Sequence, residues 1–287
     1  MAWGTNGVAT RAALTDGVPP IALVAIRAVL ATIILLVLLR MRGRSVPRDL
    51  ATWSTGVVQG LFQLSIPFVL FTLAYENASA GFVGLLVALI PIATAVIAHF
   101  LLPEEPLDVA KLVGLTVAFG GVAFLLLSGD SGLDEGGKPV LAALLAVGSV
   151  ISISFAGVHA KGRADHFDPM ELTFMQFSFG IVLIGATMLI AEGLPESFST
   201  WGWMLIAYMT IVGSIVPFLL FFWLLQQVSA TKASLIGYMV PLISLVAGIV
   251  LIDEKLQLGI AVGGVLILTG VVLTDRAERR IVATPVR

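Results

Sequence analysis

Polar breaks divide the sequence into ten apolar segments. The first half carries Ala2–Leu14, Ile21–Leu39, about Thr52–Tyr75, about Ala80–Leu102 and about Val109–Leu127. The second half carries about Pro139–Ala160, Met170–Ala191, Trp201–Leu225, Thr231–Ile252 and Leu256–Thr274. All but the first approach the length of about 20 apolar residues that a bilayer span requires. A turn, Asp16-Gly17-Val18-Pro19-Pro20, separates the first two, and Ser128–Lys138, rich in Gly and Asp, is the longest clear linker. Spanning strands would be about 10 residues long with alternating polarity, so the pattern predicts helices.

Composition supports a membrane solvent. The chain has 287 residues, of which 58% are hydrophobic and 12% charged, and its mean hydropathy is +1.04. A soluble domain carries about 25% charge. Halving that leaves too little polar surface for a soluble globule and excludes a water-soluble enzyme, a disordered chain and a basic nucleic-acid binder. The expected surroundings are a lipid bilayer, with no nucleic-acid partner. With no cysteine, disulfides, thiolate nucleophiles and Cys-ligated metals are excluded. No cleavable signal peptide is evident.

The positions of Lys and Arg set an orientation. Alternate loops carry Arg40, Arg42, Arg44 and Arg48; Lys111; Lys161 and Arg163; Lys232; and Arg276, Arg279, Arg280 and Arg287. The opposite side has only Arg11, Lys138 and Lys255. This bias predicts both chain ends in the cytoplasm and a multi-pass protein of the inner (plasma) membrane. Trp53, Tyr75, Trp201 and Trp203 fall at span ends, as interfacial aromatics do.

Shifted by 150 residues, the sequence aligns with itself. Pro67-Phe68 falls on Pro217-Phe218, Ser79-Ala80 on Ser229-Ala230, Pro91 on Pro241, Glu104 on Glu254, Gly114 on Gly264 and Gly120 on Gly270. The same offset pairs Gly7 with Gly157, Pro19 with Pro169 and Trp53 with Trp203. One ungapped offset predicts a duplication, with repeats over residues 1–130 and 139–275 and a cytoplasmic tail over 276–287. Each repeat holds five spans, an odd number, so the second enters the membrane inverted. The charges agree: Arg40–Arg48 carries four Arg, while its counterpart around Glu192–Ser199 has no Lys or Arg. The predicted fold is therefore an all-α integral membrane protein of ten transmembrane helices in two inverted five-helix repeats. Inverted repeats are typical of secondary transporters, with the substrate site near the midplane between the copies.

Together these features resemble the EamA-type members of the drug/metabolite transporter superfamily. The resemblance rests on Trp3-Gly4-Thr5-Asn6, Arg27, the Pro67–Ala80 stretch, Pro91, Pro103-Glu104, Gly114 and Gly120. The second copy adds Pro217–Ala230, Pro241, Asp253-Glu254 and Gly264–Gly270. The resemblance covers nearly the whole chain and departs at Ser154-Phe155-Ala156, where the family often has Trp-Ala. It implies ten helices, cytoplasmic termini and a central cavity lined by spans 1, 3, 4, 6, 8 and 9. It also implies transport of amino acids and small metabolites, often outward.

Pro67, Pro91, Pro217 and Pro241 lie well inside spans, where each removes a backbone donor. They read as paired hinges around a cavity, or else as static kinks. Asn6, Gln59 and Gln63 are polar within spans and should face the bundle; the two glutamines share one face of a regular helix. They either bond a polar substrate or join helices. Trp3, Phe155 and Tyr238 are candidates for an aromatic cavity wall, and Trp223 for an interfacial anchor. His159, and less so His99, are candidates for proton transfer. Arg27 lies seven residues inside its span, roughly 10 Å deep. Pairing with Glu76 is the economical reading, and grip on a substrate carboxylate is the other. Glu104 and Glu254 complement helix N-termini, with a gating role as the alternative. Gly56–Gly60 and Gly259–Gly263 have GxxxG spacing, suited to packing within the chain or to a homodimer seam.

No span has Asp, Glu or Lys near its middle. That argues against channels with charged rings, carboxylate proton pumps and intramembrane enzymes. No HExxH, GxSxG or Walker motif is present, and no cofactor is expected. The function predicted is a non-enzymatic carrier for a small neutral or zwitterionic metabolite, an amino-acid or metabolite exporter. A membrane-embedded enzyme or binding subunit acting on a lipid head group is the alternative, and it lacks a reactive centre. Met1 aligns with Ile151, about 12 residues inside the sixth span, so an upstream start with a longer first span is also expected.

Overall fold

The computed structural model describes residues 2–46, 49–102, 109–130, 133, 136–195, 197–234, 239–252 and 257–283. Among them every regular element is helical. Six helices are long and apolar enough to cross a bilayer: Pro20–Met41, Leu50–Asn77, Ala80–Leu101, Pro139–Lys161, Pro169–Ala191 and Thr200–Gln227. Two shorter apolar helices are Leu112–Ser128 and Leu258–Thr274. The segments expected first and ninth are the 14-residue helix Ala2–Thr15 and the pieces Ala230–Ser234 and Met239–Ile252. The protein is an all-α, multi-pass membrane protein. Its outward surface is apolar, with Ile33, Val182 and Val250 more than half exposed, as lipid-facing residues are.

The helix starts follow from local chemistry. Asp49 caps Leu50 by accepting the Thr52 N–H at 2.7 Å, which holds its carboxyl below the ordinary carboxylate range. Ser79 and Ser199 cap the helices after them in the same way. Asp168 accepts from Met170 and Glu171, and Pro169 sits at the first helical position, where its missing donor costs nothing.

The internal prolines have sharper effects. Residues Gln59–Ser65 form a π-helical segment inside Leu50–Asn77, directly before Pro67. Residues Ile211–Ile215 do the same before Pro217. In each case the N–H preceding the proline reaches five residues back: Ile66 to the Leu61 carbonyl, Val216 to that of Ile211. The Ser65 hydroxyl donates to the Gly60 carbonyl at 2.6 Å and lies 3.2 Å from that of Gly180. The expected continuous span Ala80–Leu102 is interrupted. Its helix stops at Val87, turns through three-residue bonds at Ala88 and Leu89, and restarts at Ile90 with Pro91 in its first turn.

Two apolar cores flank the middle of the molecule. One joins Pro20–Met41 to Pro169–Ala191 and Val216–Gln227. The other joins Ala80–Leu101 and Val109–Ser128 to Pro139–Lys161 and Leu258–Ala283. Each core therefore draws on both halves of the chain. The GxxxG glycines pack within the chain. A Cβ on Gly60 would meet the Gln176 carbonyl and the Gly180 N–H at 3.0 Å, and one on Gly263 the Gly121 carbonyl at 3.2 Å.

Candidate functional site: a central cavity

Between the cores lies a partly open cavity. It is bounded by Ala2–Thr15, by the stretches just after both π segments, by the interrupted segment through Val87 and Ile90, and by Ala230–Ser234 and Met239–Ile252 through Ser234 and Val240. A proline-interrupted helix has backbone groups outside the regular ladder, and in a bilayer such groups are tolerated only in protein or beside a water-filled space. That is where the break at Ala88 and Leu89 lies, between the cavity-lining Val87 and Ile90.

Trp3, Asn6 and Gln63 stand on the cavity wall. The Trp3 ring meets Phe218 and Phe221 edge-on, at 5.8 and 6.0 Å between centroids. Gln63 is buried and its Oε1 has no hydrogen-bond partner among the described residues. Gln59, Phe155 and His159 do not line the cavity. Gln59 donates from Nε2 to the Ala156 carbonyl at 2.9 Å. Gln63, four residues on, reaches the cavity wall. Phe155 packs edge-on against Phe62 at 5.1 Å and lies 6.2 Å from the His159 ring. From their helix it is Ile153 and Gly157 that reach the cavity; at 3.6 residues per turn, Phe155 and His159 lie on the far face. Pro67, Pro91 and Pro217 are buried beside the cavity-lining stretches, and Pro241 lies in Met239–Ile252. Tyr238, Glu104 and Glu254 lie outside the described residues.

Arg27 differs most from expectation. It does not pair with Glu76. It is 2% exposed and turned inward to the cavity wall. Its Nη2 donates to Ser214 Oγ at 3.0 Å and to Asn6 Oδ1 at 3.2 Å. Its guanidinium carbon lies 4.9 Å from the Phe68 ring centre, a cation–π contact. Room for Asn6 comes from Gly213 in the second π segment, where a Cβ would overlap Asn6 Oδ1. Thr10, Phe68, Thr94 and Phe218 also line the cavity, and so does Tyr75, which is buried on its wall rather than anchored at the membrane interface as its place at a span end suggested. For Arg27 the available signal was its charge inside a span, which by default turns inward.

A multi-pass helical membrane protein with a central cavity lined in part by aromatic rings has the form of a small-solute carrier. The EamA-like transporter family model matches residues 1–127 and again 140–275, and the chain belongs to that family. It is similar to the uncharacterized transporter YvbV of Bacillus subtilis, 27% identical over 282 residues, covering 96% of this chain and 89% of that protein. It is also similar to the uncharacterized inner membrane transporter YedA of Escherichia coli K12, 26% identical over 275 residues, with 93% and 87% covered. A solved crystal structure shares the fold with a TM-score of 0.70 at 21% identity, covering 98% of this chain and 94% of that one. The protein is thus a secondary transporter of a small solute in the inner membrane rather than an enzyme. Among the described residues no cluster of His, Asp or Glu could hold a metal ion.

Proposed function

We propose that the protein is an alternating-access carrier that exports a small neutral or zwitterionic metabolite such as an amino acid. Its ten spans form two inverted five-helix repeats, 1–130 and 139–275, and the tail 276–287 lies in the cytoplasm. The observation that carries this reading is the placement of the two π segments. Gln59–Ser65 and Ile211–Ile215 occupy corresponding positions in the two copies, each ahead of a buried proline and beside the cavity. A widened helical turn is a place where a span can change register cheaply, and two of them related by the repeat give rocking halves paired pivots. Pro67, Pro91, Pro217 and Pro241 are the hinges, and Trp3, Asn6, Gln63 and Tyr238 hold the substrate. Gln59, Phe155 and His159 support the wall from behind.

Counterflow tests this. Proteoliposomes loaded with an unlabelled amino-acid mixture should take up a labelled member transiently above equilibrium and return it chemically unchanged. Chemical conversion of solute or lipid, with no exchange, overturns the carrier reading.

A further inference from the structure

We propose that Arg27 is the carboxylate-binding group of the cavity, so that the carrier selects solutes by their carboxylate, whether that of a zwitterion or that of an apolar acid. This rests on the carrier reading of the cavity.

A buried cation needs a counter-charge or a full set of acceptors. Arg27 has neither among the described residues. Its two hydrogen-bond partners, Asn6 Oδ1 and Ser214 Oγ, are neutral and both engage Nη2, while Nε is buried with no partner. The described residues that line the cavity with it include no Asp or Glu. Both two-donor edges of the guanidinium fork include Nη2, so a carboxylate in the cavity would engage it in bidentate fashion by displacing the neutral Ser214 or Asn6 oxygen. The rest of the wall sets the aromatic rings of Trp3, Phe71, Phe218 and Phe221 beside neutral polar side chains such as Gln63, Thr72 and Thr94. The rings suit a hydrocarbon or aryl body, and the described wall offers an ammonium no carboxylate.

The charge also breaks the duplication. The position 150 residues on is Phe177, fully buried and edge-on to Phe218 at 5.7 Å. One cation in one copy specifies one acidic group per cavity. Its position couples binding to movement. Arg27 bonds Ser214 in the second π segment and covers Phe68, which follows Pro67 beyond the first. A carboxylate that takes up the guanidinium competes with the bond to Ser214, which ties the first half of the chain to the second.

The probes are 3-phenylpropanoate, its neutral isostere 3-phenylpropanamide, and 3-phenylpropylamine, used with the full-length protein in detergent and in proteoliposomes. The acid should raise the melting temperature at concentrations roughly 10- to 100-fold below those the amide needs, and the amine should do neither. Arg27→Gln should abolish the difference between acid and amide, and Arg27→Lys should keep part of it. Equal action of acid and amide on the wild-type protein overturns the assignment, as does an acid preference that survives Arg27→Gln. If Arg27→Gln does not fold, the wild-type comparison and Arg27→Lys decide, the latter by a reduced acid preference. Arg27-dependent stabilisation without counterflow of any labelled acid or amino acid defeats the carrier reading and leaves Arg27 in place. Counterflow inhibited equally by acid and amide does the reverse.

Discussion

The carboxylate of Glu192 caps the helix that begins at Pro20, from 171 residues away, taking the Ile21 N–H at 2.8 Å on one oxygen. Its other oxygen takes the Ala22 N–H at 2.7 Å. The first turn of Pro20–Met41 has no cap of its own, since Pro19 offers no side-chain acceptor. The repeat-related helix uses Asp168 from its own chain segment, at the position matched by Val18. A carboxylate at a helix N-terminus satisfies orphan donors and complements the dipole. Glu192 is thus a tie between the two halves of the chain.

Replacing it by alanine should lower stability by about 1 kcal/mol, the usual cost of a lost N-cap. Glu192→Gln, which keeps an acceptor, should lose about half of that. Thermal unfolding in detergent measures both. A Glu192→Ala protein as stable as wild type shows that the donors find water instead.

Glycines matched by the duplication are not equivalent in space. Gly120 and Gly270 correspond in sequence. A Cβ on Gly120 would meet nothing within 4 Å, whereas one on Gly270 would meet the Ala118 N–H and the Gly114 carbonyl at 2.5 Å. Gly120→Ala should hold or raise stability by about 0.5–1 kcal/mol through helix propensity. Gly270→Ala should cost about 1–3 kcal/mol by forcing two backbones apart. Melting curves of the two single variants check the contrast, and equal shifts would contradict the close approach of Val109–Ser128 to Leu258–Ala283.

The absence of native cysteine makes orientation directly measurable. Ser45 and Leu194 are both exposed and follow corresponding spans of the two copies. In the inverted arrangement Leu194→Cys reacts with an impermeant maleimide on intact cells, and Ser45→Cys reacts only after permeabilisation. Labelling of both from one side would remove the inversion.

Much of this was legible in the sequence. The apolar segments and the inward Trp3 and Asn6 follow from hydropathy and the cost of polar groups in lipid. The facing of Gln59 was not legible, because its partner, the Ala156 carbonyl, lies on a span 97 residues away and no local pattern points to it. Neither was the partner of Arg27. The second span, outside the six expected to line the cavity, still turns one side to it, and which side depends on packing against Thr200–Gln227. Glu192 was hidden for a related reason: its donors lie in the other repeat, and no local pattern links residues so far apart.

The prolines after the π segments give the sharpest test of movement. Pro67 cannot donate to the Gln63 carbonyl four residues back, and Pro217 cannot donate to that of Gly213. Alanine at either position restores that donor and favours ordinary α-helix across the segment. An interior proline costs a helix about 3 kcal/mol, so Pro67→Ala and Pro217→Ala should be at least as stable in detergent as the wild type. Their counterflow should nonetheless slow several-fold, because a straightened span resists the change of register that rocking requires. Pro139 stands in the first turn of Pro139–Lys161, where proline costs nothing, and Pro139→Ala serves as the control with unchanged exchange. Substrate affinity is measured alongside, since loss of binding would slow exchange for another reason. Wild-type rates in both Pro67→Ala and Pro217→Ala, at intact affinity, would make these bends static features of the packing.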